Sequence, residues 1–330
     1  MLLCRLAENA FWLGRYLERA EDLARAILAY EEIRLDLPGQ RAPGWQRLAA
    51  CAGLAPDEAA GLEPAAFVAR VILDRQNPSA ILGALHAARE NLRRARSLFP
   101  AECWHTLNPL YLRLGGSDAE TPRAHLRANL EQVVAACREL AGHIATGMLR
   151  DDGYGFFRMG VQLERADMLL RVATIVADTL IPPGRGLPFQ DVRWMGLLKS
   201  VGAYGTYRHR YHAATDFNSA LQLLLLEPTF PRSLTFGLDE IAGHLARLPA
   251  NEDALSALAA CRPAFAVQAR AALGGFAEDL LARLAHASAV LEATYFSRHA
   301  PPEDEARPAR AQARRHTAAT ATIPETASVT

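Results

Sequence analysis

A chain of 330 residues is longer than one small core requires, and two domains or one duplicated domain are expected. Half of the residues are hydrophobic and 22% are charged, which excludes a wholly disordered chain. Acidic and basic side chains balance at 36 each, which argues against a protein held to nucleic acid or to an acidic membrane by bulk charge. The basic side is nearly all arginine, Lys199 being the one lysine. Genome composition is the simplest account, although arginine is also the better fork for carboxylate and phosphate.

The five cysteines (Cys4, Cys51, Cys103, Cys137, Cys261) are odd in number and widely spaced, with no C-x-x-C pair, so neither a zinc ribbon nor a disulfide framework is indicated. The N-terminal apolar stretch carries Arg5 and Glu8 and reads as a helix, not a signal peptide. No run is long enough and apolar enough for a membrane span, and a cytoplasmic protein is the expectation.

Taken in chain order, apolar positions recur at three and four almost throughout. Helices are expected over 5–33, 45–53, 64–75, 79–98, 101–114, 121–148, 155–180, 191–201, 203–212, 215–226, 232–248, 252–271 and 274–297. Pro182, Pro183 and Gly184 stop one helix, and Asp151, Asp152 and Gly153 separate two long ones. Residues 300–330 hold almost no large apolar side chain and read as a disordered tail. The chain also repeats itself. Phe11, Gly14, Leu17, Glu18, Arg19, Ala20, Glu21 and Arg25 line up with Phe157, Gly160, Leu163, Glu164, Arg165, Ala166, Asp167 and Arg171. Trp45 and Leu48 then match Trp194 and Leu197, and the stretch Leu73–Pro78 matches Leu226–Pro231. We expect an all-α, internally duplicated, pseudo-twofold multi-helix bundle with helical repeats over 1–148 and 149–299, together one domain.

The segments LAENAFWLGRYLERAEDLAR, ILDRQNPSAILGALHAARENLR, MLRDDGYGFFRMGVQLERAD and RWMGLLKSVGAYGTYRHRY with LLEPTFPRSLTFGL resemble the bacterial alpha-E family, a helical domain of unknown function named for its Glu-Arg motif. The resemblance covers about residues 1–297. It implies context more than chemistry. Members are typically encoded beside, or fused to, a circularly permuted ATP-grasp ligase, often with a transglutaminase-like protein. The implied role is in making or modifying peptides or amide-linked metabolites, with a peptide or amino-acid-like ligand. This chain has no ATP-grasp segment of its own.

On a helical wheel Leu13, Tyr16, Leu17, Ala20, Leu23, Ala24 and Ile27 form an apolar stripe, and Arg15, Glu18 and Asp22 lie on a charged face. Glu21–Arg25 and Asp167–Arg171 are i,i+4 pairs. Gly14 and Gly160 each sit one turn before a motif glutamate, where glycine costs about 1 kcal/mol against alanine, so a neighbouring helix or a ligand approaches closely there. Two readings of Glu18, Arg19, Glu164 and Arg165 stand side by side. In one they are ion pairs between helices that fix the register of two halves. In the other they face a shared cleft, where the carboxylates hold an amine or metal and the arginines hold an anion. If the protein is an enzyme, Glu18 and Glu164 are the acid/base candidates. The further ligand-binding candidates are Asn9, Arg15, Arg150, Asp151, Arg158, Arg208 and Arg232; Asp151 also suits a helix cap, as does Ser79. Tyr204, Tyr207, Arg210 and Tyr211 share a short helix with Arg208.

Glu102 and His105 form the one E-x-x-H match, and Glu139/His143 and Glu240/His244 are i,i+4 pairs; this falls short of a di-iron bundle set, and no metal or other cofactor is expected. No nucleophile elbow, P-loop or dinucleotide fingerprint appears. The leading reading is an accessory component of an ATP-grasp-linked ligation system that binds substrate, product or ligase through its Glu-Arg helix faces. An enzyme of that pathway and a structural interaction module are the alternatives.

Overall fold

Alanine, leucine, arginine and glutamate at three- and four-residue spacing build helix along nearly all of the chain. The computed structural model describes residues 4–36, 45–59, 61–118, 120–121, 123–180, 190–212, 214–262 and 273–296. Among these there are 14 α-helices, two π-helical turns and no strands. The helix expected over 252–271 instead stops at Ala259, where Cys261 and Arg262 turn back onto Leu258 and Ala259; residues 263–271 and the expected tail over 300–330 lie outside the described residues.

Two long helices, α1 (Cys4–Asp36) and α8 (Asp152–Leu180), form the centre. The first is followed by α2 (Trp45–Cys51), α3 (Pro56–Ala59), α4 (Pro64–Phe67), a π turn (Val68–Ile72), α5 (Ile81–Arg94), α6 (Ala101–Gly115) and α7 (Arg123–Gly147). The second is followed by α9 (Gln190–Ser200), α10 (Tyr204–Tyr211), α11 (Phe217–Leu221), a second π turn (Gln222–Leu226), α12 (Leu234–Leu245), α13 (Glu252–Ala259) and α14 (Leu273–Tyr295). The expected helices over 64–75 and 215–226 are each a short α-helix running into a π turn. The short α3 was not expected.

α5 packs on α1 and α12 packs on α8, whereas α9 crosses over to pack on α1 and α2 packs on α8. The two halves of the chain therefore interlock. Both α2 and α9 end in the same way. Gly53 and Gly202 adopt positive φ (76° and 70°), and the following residue returns its N–H to the helix, Leu54 to Ala49 and Ala203 to Leu198. This is the glycine-terminated helix stop that an L side chain with a Cβ enters only under strain.

α1 and α8 touch backbone to backbone. A Cβ on Gly14 would sit on the carbonyl of Phe157, and one on Gly160 would sit on the carbonyl of Phe11. The close approach expected at the two glycines is thus that of the opposite helix. α1 is also buried all round along its middle. Arg15, Glu18, Arg19, Glu21, Asp22 and Arg25 are buried along with the apolar stripe. A charged face on this helix is an interior face, because α8, α5, α7 and α9 surround it.

Candidate functional site: the crossed Glu-Arg pairs

The motif arginines reach across the helix crossing. Arg165 donates from Nε to Glu18 Oε1 and from Nη2 to Glu18 Oε2, both at 2.7 Å. In the opposite sense Arg19 donates from Nε to Glu164 Oε1 and from Nη2 to Glu164 Oε2 (2.9 Å). Each is a bidentate fork on a carboxylate, the geometry that guanidinium favours. Each arginine then places its remaining nitrogen on a proline carbonyl: Arg19 Nη1 to Pro78 O at 3.3 Å, and Arg165 Nη1 to Pro231 O at 3.0 Å. An acid shapes the loop that presents each carbonyl. Asp74 Oδ1 accepts the N–H of Gln76 (2.8 Å), and Glu227 Oε1 accepts that of Thr229 (3.2 Å).

Glu164 is 0% exposed and also accepts from Arg15 Nε at 2.7 Å; Arg15 goes on to Ser288 Oγ at 2.9 Å. Glu18 is 4% exposed and has Arg232 Nη1 at 3.3 Å. Arg232 is shared further, with Asp22 at 2.8 Å and Glu21 at 2.9 Å. Burial alone would raise the pKa of Glu18, but the guanidiniums of Arg165 and Arg232 outweigh it and bring it down to about 2. Burial, and then the Glu18 charge, hold Asp22 up at about 7 despite Arg232, and Glu21 is raised for the same reasons. A cavity of about 10 Å³ beside Asp22, Arg165 and Arg232 holds at most one water.

The other candidates do not join this cluster. Asn9 Nδ2 donates to Arg5 O of its own helix at 2.5 Å. Arg150 donates to Ala145 O at 2.6 Å and lies over the Tyr154 ring at 4.0 Å. Asp151 accepts the Tyr154 N–H at 3.2 Å and is the cap of α8. Arg158 forks onto Glu240, both bonds at 2.7 Å, and ties α8 to α12. Arg208 is exposed on α10. Tyr207 is fully buried and bonds Ala214 O at 3.1 Å, so it anchors its helix. Ser79 is not the cap of α5, whose capping residue is Ala80 with no side-chain bond; in the second half Ser233 caps α12 through the Phe236 N–H at 3.1 Å.

Glu139 and His143 lie 3.3 Å apart, and Glu240 and His244 3.9 Å apart. Among the described residues no three His, Cys, Asp or Glu side chains converge as metal ligands. Glu21, Asp22 and Arg25 were missing from the candidate set. Their signal was present in the wheel, where Glu21 and Arg25 pair at i,i+4 and Asp22 shares a face with Glu18.

The site therefore defines a class: all-helical bundles closed on themselves by reciprocal Glu-Arg forks between two central helices. A family model described as Alpha-E, a predicted alpha-helical domain with a conserved ER motif, matches residues 2–296, and the chain belongs to that family. An uncharacterised protein of Mycobacterium bovis and one of Mycobacterium tuberculosis are each 22% identical over 268 residues, which is 74% of this chain and 30% of each relative's length. The chain thus spans less than a third of those relatives. No solved structure matches it. Among the described residues no helix is long and apolar enough to cross a membrane.

Proposed function

We propose that this chain is a non-catalytic helical interaction module, the accessory component of an ATP-grasp-linked system that forms peptide or amide bonds. The observation that carries the non-catalytic part is the closure of both motif glutamates. Glu18 and Glu164 each receive arginines from the opposite central helix, under packed side chains, and the adjoining cavity admits at most a water. A general acid or base must reach a substrate proton. A carboxylate held near pKa 2, as Glu18 is, is moreover a weak base at neutral pH. The pairs act as a clasp that sets the register of α1 against α8, and binding of ligase, substrate or product falls to the outer helices.

We also read the two halves as a tandem duplication. The paired glycines, crossed forks, proline carbonyls and glycine helix stops at matching positions support this. The much greater length of the mycobacterial relatives supports a unit that works joined to other polypeptide. The circularly permuted ATP-grasp ligase and the transglutaminase-like protein are the partners that the resemblance implies.

Two measurements test this. Co-expressed with its neighbouring ATP-grasp ligase, the full chain is expected to retain the ligase on an affinity column; a folded ligase that passes through unbound would refute the partnership. Glu164→Gln is expected to cost about 3–5 kcal/mol in denaturant unfolding, because it leaves two buried guanidiniums short of a counter-charge. Glu18→Gln should cost less, since Arg232 keeps Asp22 and Glu21. Variants of full stability that lose the pathway's product would restore the acid/base reading.

A further inference from the structure

Two aromatic side chains of α6 carry guanidiniums from α5 and its flanks. Arg75 and Arg89 each lie 5.5 Å from the centre of the Tyr111 ring. Arg89 and Arg96 lie 5.0 and 5.8 Å from that of Trp104. The contacts make a row: Arg75, Tyr111, Arg89, Trp104, Arg96. Arg89 is already engaged, by Glu90 at 2.8 Å and Asn108 at 2.7 Å, and Arg93 shares Glu90 at 2.9 Å. The two ends of the row differ from its middle. Arg75 and Arg96 are exposed, and among the described residues neither has a hydrogen-bond acceptor or a carboxylate partner. Asp74, next to Arg75 in the chain, is turned onto the amides of Gln76 and Asn77 (2.8 and 3.2 Å). A guanidinium held over a ring keeps its N–H edge for a carboxylate and has less freedom to lose on pairing. Burial lowers the pKa of His86, 5.6 Å from the Tyr111 ring, and Arg75 and Arg89 lower it further against the pull of Glu90. The local field is therefore positive.

The second half builds the same helix without these charges. In the register that matches Leu73–Pro78 with Leu226–Pro231, Arg75, Arg89, Arg93 and Arg96 correspond to Pro228, Ala242, Ala246 and Pro249. Yet α5 and α12 begin at the matching residues Ile81 and Leu234, and both bury the matching leucines, Leu85 with Leu238 and Leu92 with Leu245. The fold does not require the row, and like charges brought together repel.

We propose that the α5–α6 face binds an acidic segment of a partner protein, whose carboxylates fork onto Arg75 and Arg96. Trp104 and Tyr111 are seven positions apart on one helix, about 10 Å along its axis. Two acidic side chains about two helical turns or three extended residues apart match that spacing. Nucleic acid fits less well. Tyr111 is buried and Trp104 half-buried beneath guanidiniums, so neither ring is an open platform for a base. The proposal gives the outer-helix binding of the interaction-module reading a place and a chemistry, and in naming a protein partner it rests on that reading.

Fluorescence anisotropy of labelled hexaglutamate tests the site on the full chain alone. Saturable binding is expected, weakened at least about tenfold in Arg75→Glu and in Arg96→Glu. Both side chains are exposed and without hydrogen bonds, so the melting temperature should be unchanged. Arg247→Glu makes the same change of charge at an exposed position just past α12 and should leave binding as it is. No saturable binding, an equal loss in Arg247→Glu, or tighter binding of a labelled oligothymidylate would overturn the proposal. The ligase column separates the two readings. Hexaglutamate bound while the ligase passes through would sink the partnership and leave the site; ligase retained without hexaglutamate binding would do the reverse.

Discussion

Burial and two neighbouring carboxylates make the charge of Asp22 costly. The residue sits among Glu18, Glu21 and Arg232 and holds its proton to about pH 7, against an ordinary value of 3.8. Between those values the folded state binds a proton that the unfolded chain has released, so stability falls as pH rises through that window. Glu18 runs the other way. Its value of about 2 against 4.5 means that its contribution is complete above pH 4.5 and is lost as pH falls toward 2. Asp22→Asn removes the first effect and keeps the second. Its melting temperature is expected to decline less than the wild type's between about pH 4 and 7, and a parallel decline would show that Asp22 is not the titrating group. The sequence marked the acids of this cluster by their shared helix face. It did not mark their coupling, because Arg232 is remote in the chain and reaches them only through the packing of α12 beside α8.

At the scale of the element, helix propensity and helix packing pull in opposite directions at Gly14 and Gly160. Alanine is the better helix former by about 1 kcal/mol, and on an isolated helix either change would stabilise. Here the added methyl group meets the carbonyl of Phe157 or of Phe11. Backbone does not yield as the end of a side chain does, and the α1–α8 crossing must open. Gly14→Ala and Gly160→Ala are each expected to lose at least about 2 kcal/mol in chemical denaturation, at the upper part of the range for overpacked cores. A gain in stability from either would mean that the two helices do not cross in contact. The helices themselves were legible, since α1, α5, α6, α7, α8, α9, α10 and α12 fall where apolar spacing placed them. The π turns after α4 and α11 were not, because the same spacing supports either helical winding over so few residues.

At the scale of the whole molecule, the crossed forks make each half the counter-ion of the other. Residues 1–148 expressed alone would carry Arg15 and Arg19 without Glu164, and Glu18 without Arg165 or Arg232. They would also carry α2 without the α8 surface on which it packs. Each half alone is therefore expected to show no cooperative unfolding by circular dichroism, while the two co-expressed fragments form a stable one-to-one complex by gel filtration. A cooperatively folded single half would refute the interlocked arrangement. Helical class, element order and the matching Glu-Arg motifs were determined by the sequence, since they follow from local periodicity and from residues that repeat. Tertiary structure decided what the motif does. Whether a charged helix face meets water, a ligand or another charged face depends on what surrounds the helix, and in α1 the surroundings are α8 and its own arginines.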